Sequence, residues 1–209
     1  LNLTENDLQI LYKITSAERG GGTQKEQEYV VSVILNRVLS SKFPNTVHDV
    51  VFQKNQFQPT RNGAYEAAIP NQTTIDAVNN VIKTGDKAKF AIYFMTPEAA
   101  LSQKWLSNCS FLFNDVNDNL RFAKVSGCHN FYTTDDAVAE LQQYAISNGG
   151  TIVEEAINVH KYVRENKYSY RQIGVRVPNN SAKTIDCSSY VTWVLVNAKV
   201  SGFYEGMYQ

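Results

Sequence analysis

Two places in this chain set a reactive residue type at the end of a helical pattern. Glu18 stands where an apolar helical repeat meets Gly20-Gly21-Gly22, a run that cannot sustain a helix and lets a long ligand approach the backbone closely. A carboxyl flanked there by the apolar faces of two helices is partly desolvated. Its pKa then rises, which is the condition for a general acid near neutral pH. The alternative is a solvated helix-end glutamate paired with Arg19 or Arg37. Cys187, in Ile185-Asp186-Cys187-Ser188-Ser189, opens the last helical pattern of the chain. Unpaired backbone N–H groups and the helix dipole favour a nucleophilic thiolate at such a place. Its alternative is a buried apolar thiol. No histidine follows Cys187, and His160 precedes it on the lead-in helix. A thiol nucleophile needs a base beside it to be a catalytic pair.

The elements that must position these groups are readable in outline. Thr4-Glu5-Asn6-Asp7 is a capping box, and Leu8, Leu11, Ile14 and Ala17 then mark one helical face as far as Glu18. A second helix is predicted from about Gln24 to Ser40. Val30, Val31, Val33, Ile34, Leu35, Val38 and Leu39 cover so much of its surface that it belongs at the centre of the core. Phe43-Pro44 ends it. A short helical turn over Thr46 to Val51 leads into a polar, loop-like stretch from Gln53 to Pro70. Thr73 to Lys83 is helical, with Ile75, Val78 and Ile82 inward and Gly85 as its stop. Phe90 to Met95 is β-prone, Pro97 opens a helix to about Ser107, and residues 111–132 suit a small hairpin or irregular loop. Thr134 to Ser147 is a polar helix stopped by Asn148-Gly149-Gly150, the best boundary in the chain. Beyond it Thr151-Ile152-Val153-Glu154 caps a helix to about Asn166, and a loop through Pro178 leads to the Cys187 helix.

The stretch around Glu18 resembles the SleB-like cell-wall hydrolases, the spore-cortex-lytic family. The residues that carry the resemblance are Ala17-Glu18, the apolar run Val33 to Val38 with Asn36-Arg37, Phe43-Pro44-Asn45-Thr46, Gln56-Phe57, Ala91 to Phe94, and Gly127 to Phe131. They occur in the family's order over about residues 6–133. One departure is Gly22, where family members often carry an acidic residue four positions after the glutamate. The resemblance implies a mainly α (α+β) fold: a lysozyme-like helical domain with a small β-hairpin or irregular region. It also implies a lytic transglycosylase that cleaves the MurNAc–GlcNAc β-1,4 bond of peptidoglycan and forms 1,6-anhydroMurNAc. Glu18 would serve as acid and then base, with no metal or cofactor. Gln56 and His129 would hydrogen-bond sugar groups, with a turn-stabilising histidine as the alternative for His129; Tyr93, Phe57 and Phe131 would line the cleft or pack in the core, and Asn36 would position a loop or the glutamate, or bind substrate.

Asp186-Cys187-Ser188, followed by Val191 and Trp193, resembles the nucleophile helix of NlpC-like cysteine peptidases, which cut peptidoglycan stem peptides. Val153 to Val163, Tyr168, Tyr170 and the terminal Gln209 fit the same resemblance. It implies the partial, helical N-terminal half of a papain-like α+β domain and, because the base histidine of that family lies downstream of the cysteine, that no peptidase activity is expected of this chain. The expected organisation is thus a glycan-cleaving domain over 1–134, a linker helix over 135–150 and an incomplete peptidase domain over 151–209. Two wall-cutting segments suit a bifunctional phage or conjugation lysin, acting in the cell wall or from a virion.

Composition bounds these readings. The 209 residues hold 43% hydrophobic and 19% charged residues, enough to bury a core, and Lys+Arg and Asp+Glu both number 20. That balance argues against a dedicated nucleic-acid binder, and no apolar run approaches the ~20 residues of a membrane span. The first residue is Leu1, so a processed or excised piece is expected. Cys109, Cys128 and Cys187 fit no zinc spacing, and a Cys109–Cys128 bridge stays open. The expected partner is the peptidoglycan glycan strand, with a virion tail or self-association through the incomplete domain as further options. Two other functions stand beside the transglycosylase: a hydrolytic muramidase using Asp49, Glu66, Asp76 or Asp86 as second carboxylate, and a non-cutting glycan-binding or virion structural module.

Overall fold

The computed structural model describes residues 1–148, together with 169–170 and 184–185. Local signals set the first two helices. Helix α1 (Glu5–Arg19) begins at Thr4, whose hydroxyl accepts the Asp7 N–H while the Asp7 carboxylate accepts the Thr4 N–H. Helix α2 (Gln24–Leu39) repeats the device with Thr23 and Glu26. Each such cap stabilises its helix by about 1 kcal/mol.

Helix α2 is buried from Gln27 to Val38, as its all-round apolar sequence requires. Helix α1, the short α3 (Val47–Val51) and α6 (Gln72–Thr84) pack around it. Leu11, Ile14, Val31, Ile34, Val50 and Val78 form the centre of this cluster. The expected inward face of α6 is corrected by one position. Thr74, Ala77, Val78 and Val81 are buried, Ile75 is half-buried, and Ile82 is 42% exposed. The Thr74 hydroxyl donates to Gln27 Oε1 at 2.7 Å in the core. A buried polar pair must face its partner, and that sets the rotation of the helix. The stretch expected as loop holds two short helices, α4 (Pro59–Asn62) and α5 (Ala64–Ala67). They are joined at Gly63, whose φ of 80° suits glycine.

The second half of the unit is a three-stranded antiparallel sheet in the order β1-β3-β2, built from β1 (Tyr93–Met95), β2 (Ser110–Asn114) and β3 (Asn130–Thr133). The helix expected from Pro97 to Ser107 breaks into α7 (Pro97–Leu101) and a 3-10 turn at Lys104–Asn108. Leu112 is an extra residue between the paired Phe111 and Phe113, a bulge that bends β2. The sheet docks on α2 through Phe113 and Phe131, whose rings stack at 4.6 Å, and Tyr29, which meets both. Helix α8 (Asp135–Asn148) follows.

The chain packs as two compact units, Leu1–Leu141 and Gln142–Gln209. In the second, Ser169–Tyr170 (β4) pairs in parallel with Thr184–Ile185 (β5). The helices expected beyond Gly150, Cys187, and the peptidase-like segment as a whole lie outside the described residues. Cys109 and Cys128 are both free thiols. Among the described residues no helix is long and apolar enough to cross a membrane.

Candidate active site

Helix α1 delivers Glu18 one residue before its end. Gly20 closes the helix by donating its N–H to the Ser16 carbonyl at 2.8 Å, and a Cβ on Gly20 would stand 2.5 Å from that oxygen. Gly21 faces open space. The glycine run thus serves close packing at one position and an uncovered backbone at the next. Glu18, Gly20, Gly21, Gly22, Glu26 and Gly127 line an open pocket of about 440 Å³.

Glu18 makes no hydrogen bond or ion pair with any described residue. Burial pushes its carboxyl pKa up, and the charges of His129 and Arg37 pull it partly back. This is a carboxyl that holds its proton longer than an ordinary glutamate and has nothing but the pocket to give it to.

Arg19 does not pair with Glu18. Its Nη2 bonds the Glu26 carboxylate and Asp115 Oδ2, the latter at 3.3 Å, and its Nη1 donates to the Gly127 carbonyl at 3.0 Å. The Asp115 side chain is 1% exposed. Its Oδ1 accepts the His129 N–H at 2.7 Å, and its Oδ2 stands 3.5 Å from His129 Nδ1. One guanidinium therefore ties the end of α1 to the start of α2 and to both sides of the β2–β3 connection. His129 is held by that clamp and by Phe94, whose ring meets it edge-on at 5.4 Å.

Arg37 acts on Glu18 through its field, since no ion pair joins them. Its Nε donates to the Ile92 carbonyl at 2.6 Å, and its guanidinium lies 5.1, 5.3 and 5.7 Å from the rings of Phe43, Phe57 and Tyr93. Burial pushes its pKa down to about 10, so it stays charged at neutral pH.

The remaining residues expected at the site divide. His129 and Tyr93 are partly exposed and Gln56 is exposed, though none of the three lines the Glu18 pocket. Phe57 and Phe131 are each 1% exposed, which corrects their reading as cleft-wall residues and places them in the core. Asn36 is corrected as a sugar-binding residue. It is buried, and its Nδ2 donates to Asp86 Oδ1 and the Ala91 carbonyl, so it positions that loop. Sequence reasoning missed the clamp of Arg19, Glu26, Asp115 and Gly127. The Thr23-x-x-Glu26 spacing was a readable signal for Glu26. Gly127 opens one of the segments that carry the resemblance, but nothing local marks its carbonyl or Asp115 as a partner of Arg19.

A model of the family described as Cell Wall Hydrolase matches residues 21–132. The chain belongs to the cell wall hydrolase family. This cell wall hydrolase is 36% identical over 103 residues to a spore cortex-lytic enzyme of Bacillus cereus, covering 49% of the chain and 39% of that enzyme. It is 32% identical over 99 residues to the spore cortex-lytic enzyme of Bacillus subtilis strain 168, covering 47% of the chain and 32% of that enzyme. The chain thus spans well under half the length of these curated relatives. Its fold is similar to the catalytic domain of the germination-specific lytic transglycosylase SleB from Bacillus anthracis, with a TM-score of 0.51, 30% identity, and coverage of 63% of this chain and 98% of that one. The catalytic domain of the Bacillus cereus SleB protein gives a TM-score of 0.52 at 30% identity, over 63% of this chain and 93% of that one. In this cell wall hydrolase the family match begins at Gly21, so Glu18 stands just ahead of it.

Proposed function

We propose that the segment 1–134 of this SleB-type cell wall hydrolase is a peptidoglycan lytic transglycosylase with Glu18 as its single catalytic carboxyl. The observation that carries this reading is the state of the acids at the pocket. Glu18 has a raised pKa and no partner, whereas Glu26, the other acid lining it, is engaged by Thr23 and Arg19. Cleavage by water needs a second carboxylate to act as base or nucleophile. None of Asp49, Glu66, Asp76 and Asp86 lines the pocket, and Asp86 is spent on Asn36 and on the backbone N–H groups of Ala88 and Phe90.

A transglycosylase avoids that need by using the sugar's own C6 hydroxyl. Protonated Glu18 donates its proton to the glycosidic oxygen as the C1–O bond breaks. The carboxylate left behind is stabilised by the Arg37 charge. It then takes the proton of the C6 hydroxyl as that oxygen bonds C1, giving the 1,6-anhydro ring and restoring Glu18 to its acid form. The second segment, 151–209, is proposed as an NlpC-like peptidase segment with Cys187 at its nucleophile position, in a bifunctional phage or conjugation lysin that works at the cell wall or from a virion.

The test is mass spectrometry of fragments released from purified peptidoglycan by the wild type and by Glu18→Gln. Anhydro-muramyl ends that vanish in the variant are expected. Reducing ends in their place would mean a water-using muramidase. Binding to glycan without any cleavage by the wild type would mean a non-cutting module.

A further inference from the structure

A second cavity of about 440 Å³ opens on the other flank of the first turns of α2, lined by Gln24, Lys25, Glu28, Tyr29, Asn80 and Lys87. Its floor is built from buried groups. Glu28 is 9% exposed and Tyr29 is 8% exposed, and the Tyr29 ring is fixed against Phe113 and Phe131. Glu28 Oε1 accepts from Gln24 Nε2 at 2.9 Å and from Asn80 Nδ2 at 2.8 Å. Its Oε2 and the Tyr29 hydroxyl have no hydrogen-bond partner among the described residues, and neither is sealed from solvent. Both residues line the cavity. Lys25 and Lys87 stand on its rim, and neither forms an ion pair with any described carboxylate.

The Lys25 ammonium lies 5.9 Å from the centre of the Tyr29 ring, and one fixed carboxylate with two ammonium groups that no carboxylate neutralises matches a ligand carrying both signs. A carboxylate would meet the lysines, and an amine or amide N–H would meet Glu28. Phosphate or another simple anion would meet the lysines but bring no cation or N–H to the Glu28 carboxylate. We propose that this cavity binds the short peptide that peptidoglycan carries on its glycan strand. The ligand class rests on the reading of the Glu18 pocket as the glycan-cutting site.

The spacing is suitable. Gly22 and Glu26 line the Glu18 pocket, while Gln24, Lys25 and Glu28 line this one, so the two flank the same helix start. An α-helix with its side chains is about 10–12 Å across. A peptide of three or four residues, at roughly 3.4 Å each, spans that width.

The experiment is a calorimetric or NMR titration of the full chain with the free peptide L-alanyl-γ-D-glutamyl-diaminopimelyl-D-alanine. The wild type is compared with Lys25→Met/Lys87→Met and Glu28→Gln, and inorganic phosphate serves as the control ligand. Binding by the wild type is expected, about tenfold weaker in the double lysine variant, with NMR shifts at Tyr29 and Asn80. An unchanged thermal transition in the lysine variant shows that its fold is kept. No binding at millimolar peptide, equal binding by the lysine variant, or phosphate bound as tightly as peptide would each overturn the proposal. The readout needs no catalysis: a chain that binds the peptide yet releases no anhydro ends keeps this cavity and loses the Glu18 reading.

Discussion

Two glutamates line the same pocket and have opposite circumstances. Glu26, at the start of α2, accepts the Thr23 N–H at 2.7 Å and the Thr23 hydroxyl at 3.0 Å, and it also bonds Arg19. Glu18, at the end of α1, accepts nothing, and burial raises its pKa. The difference lies in what each helix terminus offers. A helix start presents N–H donors to a carboxylate, while a helix end presents carbonyls that cannot satisfy one. An acid placed at a helix end and half-buried is destabilised as an anion, and that makes it useful as a proton donor.

The comparison can be broken most severely at Glu18 itself. Glu18→Gln should lower glycan cleavage by about 10²–10⁴-fold while leaving the circular dichroism spectrum unchanged. A variant that still cuts at near wild-type rate would remove the distinction between the two acids. The next largest effect is expected from Arg19→Met. It leaves Asp115 buried without its cation and should destabilise the unit by about 3 kcal/mol in urea unfolding. Equal stability would mean that the clamp contributes nothing. Glu26→Gln weakens the capping box and one arm of the clamp, so a loss of about 1 kcal/mol in stability is expected with cleavage largely kept. If cleavage fell as far as in Glu18→Gln, Glu26 would be a second catalytic acid.

A smaller effect sharpens the contrast through pH. The pKa of Glu18 is higher in the folded chain than its ordinary value of 4.5. The folded state holds this proton more tightly, and stability falls as pH rises from the unfolded pKa through the folded one. Glu18→Gln is therefore expected to melt close to wild type below about pH 4 and above it at pH 7, by an amount typical of active-site replacements, about 0.5–2 kcal/mol. The reverse order at pH 7 would contradict a destabilised carboxylate. The smallest effect belongs to Lys42→Ala. It removes an exposed ion pair with Asp136, whose pKa is held down to about 2, and should leave the melting temperature nearly unchanged.

Legibility in the sequence followed the range of the interaction. The Thr4 box, the burial of α2 from Gln27 to Val38 and the antiparallel pairing within residues 111–132 are set by neighbours or by composition, and all were readable. The inward face of α6 was not, because a single buried bond from Thr74 to Gln27 chose it across 47 residues. Phe57 and Phe131 carry the same side chain as a cleft-lining aromatic, and nothing in their local pattern says which side of the sheet or loop they face. The same holds for Asn36, whose partners Asp86 and Ala91 come from a distant turn. At the pocket, the place of Glu18 at a helix end is a local signal, a helical repeat that runs into glycines, while its choice over other helix-end glutamates came from the family resemblance. The Arg19 clamp was invisible because its partners are remote in the chain.

That remoteness governs the order in which the pocket can be assembled. The bonds from Arg19 to Asp115 and to Gly127 join residues 96 and 108 positions apart. Loops of that length close late, after the local helices have formed. During synthesis α1 and α2 leave the ribosome before β3, with Glu18 on a helix end that the clamp does not yet fasten. The β3 strand must emerge and dock before the clamp can lock, so a chain cut short before His129 carries the carboxyl without the frame that holds it. The frame around Glu18 is thereby finished only once the sheet of the first unit has formed against the helices.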